Sequence, residues 1–436
     1  MRTALTVIFA TAALAVADEP KLLDAPKPPD GFPKFKVQEI DTGLKIGYAV
    51  VTSDIDGDGK PDVVVVDQHK VVWYQNPTWK KRVILDGKTK PDNVCITAVD
   101  IDGDKLPELV VGAGWKPFDT KNPGTLQWLK RGKTLDEEWS MHEIPCDEPT
   151  VHRVRAIDID GDGKPEVVMA PLMGRDATKE KNWMDGRPVR IMAYKVPAKD
   201  PEKKESWKPE VISEELHVVH NFTEVQSTLE GGKLYVASYE GLHKLSRDDK
   251  GRWSAARIGE GDQAKPASNR GASEVAGGSD ARGEMTLQGK RVRVSFPDWF
   301  IATVEPWHGN TLVAYAERRD GPGRELWHRH MIDDHLRWGH AVRFADLNGD
   351  RNELLILGVR DNPDPKQGDK FTDQRGVRIY RSTDLDGKKW DRYILEDGGV
   401  AVEDLTVADL NGDGKPDIVA VGRATGNARI YWNQGK

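Results

Sequence analysis

Two kinds of side chain in this sequence have types and spacings that can do chemistry. The first is carboxylate. Within residues 151–172, Asp158, Asp160 and Asp162 alternate with Gly161 and Gly163, and Glu166 closes the stretch. Side-chain oxygens therefore recur at every second residue where glycine permits a tight bend. Carboxylates brought within about 5 Å repel by roughly 3 kcal/mol per pair at an effective dielectric of about 20. A hard cation such as Ca²⁺ removes that cost, although the flanking strands and the missing twelfth-position Glu separate this loop from a helix–loop–helix calcium site. The second kind is imidazole. His152 and His340 each precede an arginine by three residues, Arg155 and Arg343, and His220 and His308 stand in similar apolar surroundings. Neutral imidazoles with a carboxylate and one open position are the donor set of a catalytic zinc ion. Such an ion, or another divalent transition metal, polarises a carbonyl oxygen while a remaining histidine moves a proton at neutral pH.

Isolated histidines do nothing unless the chain brings them together, so the positioning elements decide the reading. The acidic stretch recurs as Asp54, Asp56, Asp58 and Asp62, and again as Asp409, Asn411, Asp413 and Asp417. Two copies are imperfect. Asp100, Asp102, Asp104 and Glu108 have Lys105 in a glycine position, and Asp346, Asn348, Asp350 and Glu353 are one residue short, so cation binding is expected in neither. Between these turns runs a second repeat, an aromatic residue followed five positions later by an aliphatic one. It begins at Phe35, Trp79, Trp139, Trp207, Trp253, Trp327 and Trp390, at spacings of about 45 to 75 residues. Each unit reads as strand, turn, strand, connection, strand and aromatic strand. The expected fold is therefore all-β: a seven-bladed β-propeller of four-stranded antiparallel blades. The chain stops one strand short of a last blade, and Phe35–Ile40 is a fourth strand with no blade before it. Pairing the two closes the ring and hides both sheet edges.

In such a blade the innermost strand runs from one mouth of the central channel to the acidic turn at the other. The strand starts hold Tyr48, Val94, His152, His220, Glu274, His340 and Glu403. His308, at the connection after a second strand, reaches the same face. His152, His220, His308, His340, Glu274 and Glu403 are thus the candidate zinc-binding group, with His152 and His308 also candidates for proton transfer and Arg155 and Arg343 for oxyanion binding. Trp183, Trp299, Trp307 and Trp338 are candidate sugar-stacking platforms. His69, His142, His243, His328, His330 and His335 read as exposed. The acidic turns are expected to hold structural calcium on the opposite face.

Residues 1–17 carry Arg2, an apolar run from Ala4 to Val16 and a small-residue Ala15-Val16-Ala17 site, the pattern of a secretory signal peptide. Export to the periplasm or medium is expected. Residues 18–34 read as a flexible lead-in and 35–436 as the single propeller. A net charge of -7, with Lys and Arg spread evenly, argues against nucleic acid, and no second apolar run suits a membrane span. Cys95 and Cys146 allow at most one disulfide.

The acidic-turn repeats resemble the FG-GAP or VCBS propellers, a family that includes the integrin α-subunit head. The wording around the histidines goes further. Val151-His152-Arg153, Val219-His220-Asn221, Val304-Glu305-Pro306-Trp307-His308-Gly309-Asn310 and Gly339-His340-Ala341 are similar to the propeller domain of aldos-2-ulose dehydratases, which eliminate water from 1,5-anhydrofructose and related ketosugars. That resemblance implies a metal, zinc above others, in a cleft of the propeller, and it makes His152, His220, His308 and His340 metal-binding or proton-transferring positions. Cupin and lectin domains of that family have no counterpart in this sequence, so an isomerase step assigned to a cupin is not expected. The function this implies is a secreted metal-dependent lyase that dehydrates a ketosugar or keto-glycoside by β-elimination. The alternatives are a calcium-stabilised propeller that binds carbohydrate or protein without chemistry, and an FG-GAP polysaccharide lyase.

Overall fold

The structure, a computed structural model, describes residues 22–224, 233–265, 267–287, 290–317, 326–360, 375–384 and 386–436, and side chains are described outside 279–299. The expected signal peptide lies outside the described residues. The chain forms seven antiparallel sheets arranged as blades. Six have four strands, and the last has five. Innermost strands are Ala49–Ser53, Cys95–Val99, Val151–Ile157, Val219–Glu224, Val275–Leu287, Gly339–Ala345 and Val402–Ala408. Second strands such as Asp62–Val66 and Leu354–Val359 are buried throughout, as expected of central strands covered on both faces by neighbouring blades.

The aromatic repeat marks each outer strand. Phe35, Trp79, Trp139, Trp207 and Trp327 are all buried, which seals the wide outer gap between wedge-shaped blades where a small side chain would leave a void. The ring closes as expected: Lys34–Asp41 lies antiparallel to Ala428–Gly435, with Val37 opposite Tyr431 and Gln38 opposite Ile430. The described part of the lead-in packs against this blade and the one before it. Leu23 and Asp24 pair with Val37 and Lys36, and Phe32 is buried against Tyr393, whose hydroxyl donates to the Pro26 carbonyl. No helix among the described residues is long and apolar enough to cross a membrane. Both cysteines are free thiols.

The acidic turns are built by their own amides. In the first blade, Asp54 accepts from the Gly57, Asp58 and Gly59 amides, and Asp62 accepts from Ile55 at 3.0 Å and Asn76 at 2.7 Å. The second turn keeps this path because Lys105 takes the left-handed conformation, φ 73°, that glycine holds in its siblings, and its amide reaches Asp100 as Gly59 reaches Asp54. Burial raises the closing carboxyls: Asp62, Glu108 and Glu166 to about 7 and Asp417 to about 6, with the neighbouring turn carboxylates adding to the effect. These four groups ionise in the unfolded chain near pH 4 while the folded chain still holds the proton, so their contribution to stability falls as pH rises from about 4 to 7. In chelator, the melting temperature is expected to drop across that window, and Asp62→Asn with Glu166→Gln to flatten the drop. Calorimetry showing equal slopes for both proteins would refute it.

Candidate functional site

A cavity of about 300 Å³ opens at the mouth where the innermost strands begin. Tyr48, Val94, His152, His220, His340 and Glu403 line it, each from the start of its own blade, and His308 joins them from the connection after Lys290–Glu305. A larger groove, about 720 Å³, runs along the rim past Trp79 and Trp432, but no imidazole or carboxylate lines it. The chemistry lies in the smaller cavity.

A local device turns these side chains inward. The strand pairing slips at Val151/Arg153, Val219/Asn221, Gly339/Ala341 and Val402/Asp404, so His152, His220, His340 and Glu403 are each the extra residue of a β-bulge. A bulge re-aims one side chain while the ladder continues on either side. Two residues before each histidine the backbone is left-handed: Thr150 at φ 47°, Val218 at 46° and Trp338 at 58°. For a β-branched residue such as Val218 this conformation costs on the order of 1–3 kcal/mol, which the packing around it must offset. His308 is left-handed too, φ 50°, and Gly309 is required beside it because a Cβ there would stand 2.1 Å from the Glu305 backbone.

The four imidazoles form one cluster, with ring centroids 4.7 Å apart for His152 and His220, 4.7 Å for His220 and His308, and 5.1 Å for His308 and His340. Burial, reinforced by the guanidinium of Arg153 or Arg360 or by a neighbouring imidazole, depresses all four well below the ordinary histidine range, so they are neutral at pH 7. Their hydrogen bonds separate them into roles. His340 Nδ1 donates to the Glu403 carbonyl at 2.5 Å, and His220 Nδ1 stands 2.9 Å from Glu274 Oε1, off the hydrogen-bond axis. Both rings therefore turn Nε2 toward the centre. His220 Nε2 and His308 Nε2 face each other at 2.9 Å, a separation that demands a proton or a cation between them. Ring nitrogens of His220, His308 and His340 all lie within 4.8 Å of one another.

His152 differs. Its Nδ1 donates to the His220 carbonyl at 3.0 Å, and its Nε2 accepts from Arg153 Nη1 at 3.0 Å. Both nitrogens are engaged with protein, so it stands beside the donor set rather than in it. Glu274 and Glu403 likewise sit outside it. Glu274 backs His220 and accepts from Asn221 at 2.5 Å, and Glu403 is held by Arg360 at 3.1 Å and Arg423 at 2.9 Å.

The arginines differ from the sequence expectation. Arg155 and Arg343 lie deeper in the channel, with Arg155 donating to the Phe222 carbonyl at 2.7 Å and to Asn221 at 3.0 Å, and Arg343 donating to the Val342 carbonyl and contacting Asp404. Neither lines the cavity. Arg153, Arg360 and Arg423 do. The bulge explains the exchange, because the slip after Val151 carries the guanidinium next to His152 to the mouth and sends the one three residues on into the channel.

Aromatic rings wall the site. His308 is stacked between Trp307, centroids 4.1 Å apart, and Trp338, 5.5 Å, and Trp115 packs on His152 at 4.9 Å. Of the other expected platforms, Trp183 stacks on the lip residue Phe118 at 5.2 Å, and the side chain of Trp299 is outside those described. His243, expected to be exposed, is buried in the strand Gly241–Arg247. His142 stacks on Trp128 at 4.5 Å.

Residues 123–318 match the family model of the β-propeller domain of aldos-2-ulose dehydratase, a span that holds His152, His220 and His308, and residues 54–111 match that of an FG-GAP-like repeat. The search of curated proteins found no match. Among solved structures, the crystal structure of BBS1N in complex with ARL6DN, soaked with mercury, is 15% identical with a TM-score of 0.51, covering 95% of this chain and 97% of that one. The same complex soaked with lead is 15% identical with a TM-score of 0.50, covering 94% and 96%. At that identity the likeness is of fold.

The strained entry to the site is held by Thr150, whose hydroxyl donates to the Met173 carbonyl at 3.0 Å and accepts from the Met173 amide at 2.9 Å, all buried. Thr150→Val keeps the shape and leaves two backbone groups unpaired. A loss of roughly 2–4 kcal/mol in urea unfolding is expected, and a loss under about 1 kcal/mol would show that water replaces the hydroxyl.

Proposed function

We propose that this propeller is a metal-dependent carbon–oxygen lyase that removes water or an alcohol from a ketosugar or keto-glycoside. The observation that carries the reading is the set of three neutral imidazoles, His220, His308 and His340, with ring nitrogens within 4.8 Å at the wall of an aromatic cavity. The match to an aldos-2-ulose dehydratase propeller supports the same reaction class.

The donor set fits a zinc-like cation on chemical grounds. His220 and His340 each have Nδ1 turned to an oxygen, the arrangement that leaves Nε2 bare and orients it, and Glu274 Oε1, 2.9 Å behind His220 Nδ1 and 3.5 Å from Arg153, would raise that ring's basicity. A divalent cation held there would polarise the sugar carbonyl. His152, outside the donor set and kept in its base form by burial, would take the proton from the carbon next to the carbonyl on Nε2, once Arg153 Nη1 turns away from that nitrogen. The freed electron pair becomes a carbon–carbon double bond as the β carbon–oxygen bond breaks, and the leaving oxygen recovers the proton from His152. Arg153, which the substrate's approach would release from His152 Nε2, is placed to stabilise negative charge as it develops. Trp307 and Trp338 would hold the sugar face.

Replacing both His220 and His308 by Ala is expected to lower bound transition metal from about one per chain to near zero and to abolish release of an unsaturated ketone from 1,5-anhydrofructose, whereas His152→Ala should keep the metal and lose turnover by about a hundredfold or more. Metal content and turnover unaffected in the double variant would end the proposal.

A second reading, a propeller that binds carbohydrate or protein without chemistry, draws on the structural neighbours described in complex with ARL6DN. Oligosaccharide captured on a glycan array with no product formed would favour it. In either case we propose structural calcium in the acidic turns. Oxygens of Asp54, Asp56 and Asp58, of Asp100, Asp102 and Glu108, and of Asp158, Asp160 and Glu166 cluster within 4.8 Å, and buried Glu166 Oε1 lacks a partner. Lys195 lies 3.0 and 2.7 Å from Asp160 and Asp162 and would have to move, so the first turn, with no lysine on it, should fill first. Millimolar calcium is expected to raise the melting temperature by several degrees, and Asp54→Asn to remove most of the gain. An identical melt with calcium and with chelator would show the turns are empty.

A further inference from the structure

Three guanidiniums line the cavity, Arg153, Arg360 and Arg423, and the lyase reading uses only the first. Arg360 lies over the Trp338 ring at 5.4 Å and Arg423 over the Tyr48 ring at 5.0 Å, so both are held flat against an aromatic face and present their N–H edges in fixed directions. They occupy equivalent places, each one residue past the second strand of its blade, Leu354–Val359 and Asp417–Gly422. Glu403 lies between them, accepting a hydrogen bond from Arg423 Nη1 at 2.9 Å and forming an ion pair with Arg360 Nη1 at 3.1 Å. A guanidinium has five N–H donors in a planar fork, so one shared carboxylate leaves both forks far from saturated.

The charge balance points the same way. Of the groups that line the cavity, Arg153, Arg360 and Arg423 stand against one carboxylate, Glu403; behind the wall Glu274 lies 3.5 Å from Arg153, and Asp92 accepts from the Tyr48 hydroxyl at 2.8 Å. The lining itself therefore carries positive charge in excess, in a site walled by Trp115, Trp307 and Trp338, and a divalent cation bound to the imidazoles would add two more charges. A neutral sugar leaves that excess uncompensated, whereas an anion compensates it. The surrounding protein is net negative, so the excess belongs to this mouth rather than to the molecule.

We infer that the cavity takes an acidic sugar, one whose carboxylate is gripped by Arg360 and Arg423 beside Glu403 while the rest of the ring faces the imidazoles. This deepens the lyase reading and rests on it only for the reaction: the substrate class becomes a keto-uronate or a uronate-bearing keto-glycoside. Glu403 acts as the resident counter-charge that keeps the two forks apart and in register until the ligand's carboxylate arrives.

Calorimetric titration of the chelator-treated and the metal-loaded protein with D-glucuronate, its methyl ester and inorganic sulfate tests this without turnover. Glucuronate is expected to bind at least about tenfold more tightly than the uncharged methyl ester in both states. The preference should disappear in Arg360→Gln and in Arg423→Gln, and should grow in Glu403→Gln, which frees donors on both forks. Equal binding of acid and ester by the unmodified protein overturns the inference, and needs no variant to fold. Sulfate that competes as strongly as glucuronate also overturns it, since the site would then be a general oxyanion site. The two readings fail separately. Turnover of a neutral ketosugar with no preference for the acid sinks the acidic-sugar inference and spares the lyase, and a strong preference with no turnover of any ketosugar does the reverse.

Discussion

The strand Lys34–Asp41, near the start of the propeller, pairs at seven positions with Ala428–Gly435 at its end, and everything else in the molecule presumes that pairing. An open array of blades would leave two edge strands with unpaired amides and carbonyls and two hydrophobic blade faces in water. Joined, the seven sheets become a ring whose innermost strands all start on one side. His152, His220, His308 and His340, spread over almost 190 positions of sequence, meet within one cavity only because the ring is shut.

Ring closure puts the strand starts near each other, and local backbone irregularity does the aiming. Slips in the ladder at His152, His220, His340 and Glu403, preceded by left-handed Thr150, Val218 and Trp338, rotate each side chain off the pleat and onto the axis. The same burial that offsets this strain keeps the imidazoles uncharged, so one packing arrangement fixes both geometry and protonation. At the opposite end of the innermost strands the acidic turns repeat a self-sufficient loop of Asp-to-amide hydrogen bonds. In the blades whose innermost strands begin at Val151, Gly339 and Val402, which have both a bulge and an acidic turn, the two ends are thus specialised, one for holding the strand connection and one for presenting a side chain.

Periodicity made the blade count, the four-strand unit, the closing strand and the mouth histidines legible, because each is a pattern repeated at a fixed offset. Lys105 shows where pattern reading was too strict: a lysine can adopt the left-handed conformation that its sibling turns give to glycine, and the second acidic turn keeps its path. The arginines show where it was too coarse. Strict two-residue alternation cannot register a bulge, so His152 and Arg153 facing one cavity, and Arg155 facing another level of the channel, were invisible until the strand pairing was known. Arg360 and Arg423 carried a readable signal, the same position after the second strand in successive blades, but it lies at a strand end rather than a strand start. The separation of His152 from the donor set depends on a hydrogen bond between consecutive residues, which no spacing encodes. His243 is buried because its strand is the third of its blade, covered on both faces.

A closed ring of similar units has no privileged first unit. Lys34 faces Gly435 across the joining strands, so the places where the propeller begins and stops are adjacent in space. A short linker across that seam, with new ends cut at the exposed Gly87 and Lys88 in the connection between Asp86 and Cys95, would rewire the order of the blades along the chain while leaving every neighbour relation in the disc intact. The mouth belongs to the circle, not to the order of synthesis, and the polypeptide can be read as one turn of a wheel whose starting spoke is arbitrary.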